Sequence, residues 1–144
     1  MRLLLFLADE GSQTPNIFNW GLLALAIALL ATMLITKNSK WDKNKLAVLE
    51  IKDFISTMRK GSLIDVRKES EVEKGKIVGA RNFPGSSGAG DAKVRKDLPI
   101  FLYDDTGSSK MKSIASKYIK NGAVMVYVLR GGYNAYKEYK EKNK

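Results

Sequence analysis

A long uncharged stretch near the N terminus limits what this chain can fold into. No charged side chain occurs between Gly11 and Thr36, and the part from Trp20 to Ile35 is almost wholly apolar. An apolar helix of about 20 residues can cross the roughly 30 Å hydrocarbon layer of a membrane. As a buried core helix it would need the rest of the fold around it, and 144 residues leave little sequence for that. We therefore predict a transmembrane helix over residues 16–36.

The residues that flank this stretch give it a direction. Lysines follow it in place of a small-residue cleavage site, which favours an uncleaved anchor over a removed signal peptide. Lys and Arg next to a span stay on the cytoplasmic side. We predict that tail residues 1–15 face outward and that a basic juxtamembrane linker, residues 37–45, contacts anionic lipid at the cytoplasmic face of a bacterial plasma membrane or a thylakoid-type membrane. The predicted anchor flanks are Trp20, Lys37, Lys40 and Trp41.

Two missing residue types narrow the chemistry that the chain can perform. The sequence has no cysteine and no histidine. This excludes disulfides, thiolate metal sites and a thiol nucleophile, and it removes the commonest neutral-pH base. We therefore predict no metal and no cofactor, and we regard an enzyme as the less favoured class of protein.

The part after the apolar stretch is strongly basic. Residues 37–144 carry 24 basic and 13 acidic side chains, a net charge of +11. Such a charge suggests an acidic partner, which could be anionic lipid, nucleic acid or an acidic protein. Nucleic acid is disfavoured, because the tyrosines spaced at three residues near the C terminus are more typical of packing than of base stacking.

Short apolar runs alternate with helical periodicity over residues 46–144. This alternation predicts an α/β fold with a mainly parallel central sheet and helices on both faces. In such sheets ligands bind beyond the carboxyl ends of the strands, which directs attention to the turn after the apolar run PIFLY. The predicted strands are 48–51, 62–66, 99–103 and 124–129, the predicted helices are 52–60, 68–74, 108–120 and a last one from about 133, and extended pieces are predicted at 77–78 and 80–83.

Three motifs resemble the rhodanese-like domain family. The first is LIDVRKESEVEKGKIVGA, residues 63–80, which is similar to the family's D-V-R-x-x-x-E and G-H-I-x-G-A, with Lys76 in place of the family's histidine. The second is Asn82-Phe83-Pro84, similar to N-x-P. The third combines PIFLYDDTGSSK, residues 99–110, with the closing YVLRGG, residues 127–132. The order and spacing of these motifs, behind one apolar segment, are similar to those of small membrane-anchored bacterial members of the family.

The resemblance implies a degenerate active-site loop. Family members carry sulfane sulfur on a cysteine that follows the central strand, in a loop that ends with an arginine. Asp104 stands at the position of that cysteine and Ser109 at that of the arginine, which implies no sulfurtransferase activity. We expect the Asp104 carboxylate to cap the loop as a built-in anion. The loop residues are Asp104, Asp105, Thr106, Gly107, Ser108, Ser109 and Lys110.

The resemblance also implies a structural motif around the loop. Asp65 and Arg67 are expected to brace the loop and the neighbouring helix, with Arg67 and Glu71 as an i,i+4 pair. The motif residues are Asp65, Arg67, Glu71, Gly79, Pro84, Gly131 and Gly132. Residues 85–91, which read GSSGAGD, are expected to form a flexible loop because of their composition.

Two other motifs suggest chemistry without the context it needs. The run Asp-Thr-Gly-Ser at 105–108 also occurs in aspartic proteases, which require a second such carboxylate on a β-rich fold. A carboxylate phospho-acceptor at Asp104 would need an acidic metal-binding cluster, and only Asp105 is near in sequence.

We therefore expect a catalytically inactive, membrane-anchored scaffold or regulatory module with an unidentified protein partner. The alternatives are an accessory subunit of a membrane complex and a degenerate sulfurtransferase or phosphate-handling enzyme that uses Asp104.

Overall fold

The computed structural model describes residues 17–37 and 42–144, with side chains over 20–33 and 42–144. The chain divides into two compact units, Met1–Lys40 and Trp41–Lys144. In the first unit, helix α1 (Ile17–Lys37) is present over most of the predicted span, and its side chains from Trp20 to Met33 are exposed. The described part of the chain contains no helix that is both long and apolar enough to cross a membrane, so the predicted transmembrane helix is not confirmed.

The second unit alternates strands and helices in the predicted order. Three short 3-10 turns, Lys43–Lys45, Met58–Lys60 and Ser87–Gly90, join the elements. The strands are β1 (Leu46–Leu49), β2 (Ser62–Asp65), β3 (Arg81–Asn82), β4 (Ile100–Tyr103) and β5 (Val126–Leu129). The helices are α2 (Ile51–Thr57), α3 (Glu69–Glu73), α4 (Lys110–Lys120) and α5 (Gly132–Lys142).

The five strands form one sheet in the order β1-β5-β4-β2-β3. Every strand pair in it is parallel. Parallel strands are buried on both faces, which is why β2, β4 and β5 appear in the sequence as continuous apolar runs rather than alternating ones. The central strand β4 is buried at all four residues. The predicted α/β fold is confirmed for this unit.

Two apolar clusters pack on the opposite faces of the sheet. One face meets α4, whose buried stripe is Met111, Ala115, Tyr118 and Ile119. The other meets α2 and α5 through Phe54, Phe101 and Tyr136. Helices thus cover both faces, and the carboxyl ends of the strands are left for the connecting loops.

One segment predicted to be a flexible loop packs into the core. Residues 87–90 form a 3-10 turn in which Gly88 and Ala89 are buried. A Cβ atom on Gly88 would collide with the Tyr118 hydroxyl and press on Phe83, so only glycine allows this close approach. The prediction was wrong because the glycine content here serves packing rather than mobility.

Candidate functional site

The site lies where the loop of residues 104–109 follows the central strand β4 and leads into α4. Asp104 begins the loop, and its carboxylate points back into it. One oxygen accepts from the Gly107 N–H at 2.5 Å, and the other accepts from the Ser108 N–H at 3.1 Å and the Ser108 hydroxyl at 2.8 Å. The N–H groups of Gly107 and Ser108 are thus bonded to a carboxylate of the chain itself.

The backbone of this loop also holds the start of α5. The Tyr133 N–H donates to the Asp104 carbonyl at 2.6 Å, and the Asn134 N–H donates to the Asp105 carbonyl at 3.1 Å. These N–H groups belong to the first turn of α5, where no carbonyl of the same helix can accept from them. The loop therefore satisfies the helix end, and the helix end fixes the loop.

Two glycines of the predicted motif make this close approach feasible. Gly132 has a φ of +60°, and a Cβ atom there would overlap the backbone of residues 104–106. Gly131, with a φ of +77°, is the left-handed residue that precedes the helix. L-residues with a side chain rarely adopt this conformation. The Gly-Gly pair is therefore required for the contact between the loop and α5.

A buried arginine connects the loop to β2 and to the end of α3. The Arg67 guanidinium binds both oxygens of Asp65, with the shortest contact at 2.7 Å, and reaches Asp105 Oδ1 at 3.3 Å. It also donates to the Gly75 carbonyl at 2.6 Å. Burial lowers the pKa of Arg67, but the hydrogen bond and the charge of Asp65 outweigh this and raise it, so the guanidinium stays charged. The expected bracing role of Asp65 and Arg67 thus has a geometric basis.

The expected pairing of Arg67 with Glu71 is wrong. Helix α3 begins at Glu69, so Arg67 lies before the helix and the i,i+4 geometry does not arise. Glu71 instead pairs with Lys74 at 3.3 Å on the surface.

The rings of Tyr103 and Tyr133 lie against Arg67. Neither tyrosine was assigned to the site from the sequence. The Arg67 guanidinium lies 4.2 Å from the ring centroid of Tyr133 and 5.7 Å from that of Tyr103. The Tyr103 hydroxyl accepts from the Ile77 N–H at 3.1 Å. Burial and the neighbouring Asp65 carboxylate raise the pKa of the Tyr103 phenol. The position of Tyr103, at the end of a buried strand and just before the loop, was the available sequence signal.

A side-chain amide that was noted only as part of a motif also holds the site. Asn82 Nδ2 donates to the carbonyls of Asp65 and Arg67 at 3.0 and 2.9 Å. Pro84 follows β3, and the Gly85 N–H donates to the Val66 carbonyl. Gly79 lies in a turn with a φ of +88°.

The remaining predicted residues are not part of this cluster. Thr106 and Ser109 are exposed on the loop, Lys110 is exposed at the start of α4, and Trp20 is exposed on α1. Lys37 ends α1, while Lys40 and Trp41 lie outside the described residues. Within the described ranges, no group of three or more acidic side chains could hold a metal ion.

Comparisons with known proteins agree with this architecture. A model of the rhodanese-like domain family matches residues 50–139. The uncharacterized protein YqhL of Bacillus subtilis is 36% identical over 94 residues, which is 65% of this chain and 74% of YqhL.

Solved structures of similar fold have lower sequence identity. A rhodanese-like domain from Anabaena is 21% identical with a TM-score of 0.56, over 63% of this chain and 73% of that one. A protein of unknown function from Rhodopseudomonas palustris, described as a possible tyrosine phosphatase, is 20% identical with a TM-score of 0.57, over 75% and 88%. These structures establish the fold of the second unit.

Proposed function

Because the chain belongs to the rhodanese-like domain family, we propose that its domain is a non-catalytic binding module that recruits or regulates a protein partner. The observation that carries this proposal is the position of Asp104 and the hydrogen bonds of its carboxylate. By resemblance it occupies the position of the sulfur-carrying cysteine, and its carboxylate is bonded to the Gly107 and Ser108 donors of its own loop.

The chemistry of the family explains why an aspartate at this position prevents sulfur transfer. A sulfane sulfur is carried as a persulfide, which requires a sulfur atom on the protein, and this chain has no cysteine. A carboxylate at Asp104 cannot form that bond. The negative charge that the loop would stabilise is already present as part of the chain.

The site does not favour an enzyme that uses Asp104 as a nucleophile. Both of its oxygens accept hydrogen bonds from the loop. The neighbouring Asp105 faces Arg67 at 3.3 Å. These contacts support a structural role for the carboxylate.

We further propose that residues 16–36 attach the domain to the cytoplasmic face of a membrane. This part rests on the sequence, in which the span is uncharged and lysines follow it. The exposed apolar side chains of α1, among them Trp20 at 71% and Leu29 at 62% exposure, are compatible with a lipid environment. Cell fractionation, followed by protease treatment of intact and opened vesicles, tests it. Release of the full chain by salt alone would contradict the anchor.

The absence of catalysis is tested with the full chain. Transfer of sulfur from thiosulfate to cyanide and hydrolysis of a generic phosphate ester should both be absent. Any turnover that disappears in Asp104→Ala would overturn the proposal. A gain of sulfur transfer in Asp104→Cys combined with Ser109→Arg would show that the loop keeps the family's geometry and lacks only the reactive groups.

The partner is sought by crosslinking in native membranes. Recovery of one defined protein with the full chain supports a scaffold or regulatory module. Recovery of a stoichiometric membrane complex would favour the alternative of an accessory subunit.

A further inference from the structure

The sheet carries a groove beside the loop, over β1 and β5. Helix α4 covers the middle of this face but leaves the outer strand β1 partly open, so Val48 is 42% exposed. The groove has a volume of about 320 Å³. Its apolar lining is Leu46, Val48, Met111, Val128 and Leu129.

The polar rim of the groove is basic. Lys112 of α4 and Arg130 at the end of β5 line it together with Ser108 and Ser109, and none of the described residues that line it is acidic. Arg130 is partly balanced by Glu50 at 2.7 Å, in a pair that is more than half exposed on both sides. Lys112 is exposed on the opposite wall. An occupant that supplies carboxylates would therefore meet the positive charge of Lys112 and the partly balanced charge of Arg130.

The backbone of β1 offers hydrogen bonds at the same place. β1 is an edge of the described sheet. Its Leu49 carbonyl accepts from the Arg130 N–H on the inner side. Because alternate residues of a parallel strand face the same neighbour, the N–H and C=O of Val48 point outward from the sheet. An exposed edge of this kind is where an extended peptide can add as a further strand.

We propose that this groove binds an extended acidic segment of a partner protein, which adds to β1 and places alternate apolar side chains over Val48. This inference rests on the proposed function as a binding module and assigns that function a surface and a ligand chemistry. The net charge of +11 over residues 37–144 favours an acidic partner over a second copy of this chain.

The test uses the full chain in detergent micelles and labelled eight-residue peptides. The first peptide alternates valine and glutamate, the second has the same composition in two blocks, and the third alternates valine and lysine. Fluorescence anisotropy should show binding of the first peptide, at least about fivefold weaker binding of the second, and none of the third. Equal binding of the first two peptides would mean that the protein recognises their charge and not the alternation of valine and glutamate. That result would overturn the proposal.

Variants with matched controls locate the site. Lys112→Glu should weaken binding of the first peptide by at least about fivefold, whereas Lys93→Glu, the same charge change on an exposed residue outside the groove, should not. Val48→Asp should weaken it more than Val78→Asp, since both valines are exposed but only Val48 lines the groove.

Val48→Pro removes the outward N–H without removing a bond to β5, and it should abolish binding while circular dichroism stays unchanged. If that variant does not fold, Val48→Asp and Lys112→Glu decide the outcome. If both Lys112→Glu and Val48→Asp still bind the first peptide, the groove is not the binding surface. That result would contradict this inference but not the proposed function as a binding module. A dimer that forms only with peptide, seen in sedimentation, would also contradict the inference about the groove. Sulfur transfer or phosphate-ester hydrolysis by the chain would instead contradict the proposed function.

Discussion

The guanidinium of Arg67 lies 4.2 Å from the ring centroid of Tyr133 and forms an ion pair with the buried carboxylate of Asp65 at 2.7 Å. This one side chain links β2, the end of α3, the loop and α5. The site is therefore held by an ion pair and an aromatic ring that come from distant parts of the chain.

We expect replacement of Arg67 to cost much more stability than replacement of a surface arginine. Arg67→Ala leaves Asp65 unpaired, and the two side chains are only 4% and 0% exposed. Loss of one partner of a buried pair typically costs about 3–5 kcal/mol. Urea unfolding followed by circular dichroism measures this. Arg95→Ala, which breaks an exposed pair with Asp97, should change the free energy of unfolding by less than about 0.5 kcal/mol.

Asp104 should keep external anions away from the loop. In Asp104→Ala the N–H groups of Gly107 and Ser108 lose their acceptor, which should cost about 1 kcal/mol and leave room for an oxyanion. Sulfate should then raise the melting temperature of the variant more than that of the wild type, at equal ionic strength set with chloride. Asp97→Ala serves as the control. An equal response of all three proteins would contradict the built-in anion.

The contact between α5 and the loop depends on Gly132. An added Cβ atom would meet the backbone of residues 104–106, and the φ of +60° disfavours any side chain. We expect Gly132→Ala to lower the free energy of unfolding by about 2 kcal/mol or more. Gly90→Ala, where a Cβ atom meets nothing within 4 Å, should stay within about 0.5 kcal/mol. Equal losses of stability in Gly132→Ala and Gly90→Ala would argue against a close approach of Gly132 to the loop backbone.

The Tyr118 hydroxyl should reduce stability at high pH. It is buried without a hydrogen-bond partner among the described residues, and burial raises its pKa to about 12. Between about pH 10 and 12 the unfolded state loses this proton while the folded state retains it, so the stability falls as the pH rises. Tyr118→Phe should make that fall less steep and cost little at pH 7. An unchanged pH profile in chemical unfolding would contradict this.

The sequence predicted the fold because the information for it is local. Buried parallel strands are continuous apolar runs, and α4 shows its core stripe at helical spacing with an Asn-Gly stop. Strands β2, β4 and β5 are shorter than predicted, and β5 begins at Val126 rather than Val124. The first strand covers residues 46–49 rather than the predicted 48–51, because Ile51 begins α2. Residues 124–125 lie in the connection between α4 and β5, where Val124 is 48% exposed.

The contacts of the site could be predicted only in part. Asp104 as a loop acceptor follows from its position next to Gly107 and Ser108. The contact of Arg67 with Asp105 spans 38 residues, and no local pattern indicates it. The local i,i+4 rule selected Glu71 instead, although Arg67 precedes both the predicted helix 68–74 and α3 itself. The groove over β1 was also missed, since it depends on where α4 crosses the sheet.

The hydrogen bonds from the Tyr133 and Asn134 amides to the carbonyls of Asp104 and Asp105 have a consequence for dynamics. Neither segment can open without breaking the bonds of the other. In hydrogen–deuterium exchange, the amides of residues 107–108 and 133–134 should lose protection together, as one cooperative segment, although 25 residues of sequence lie between Gly107 and Tyr133.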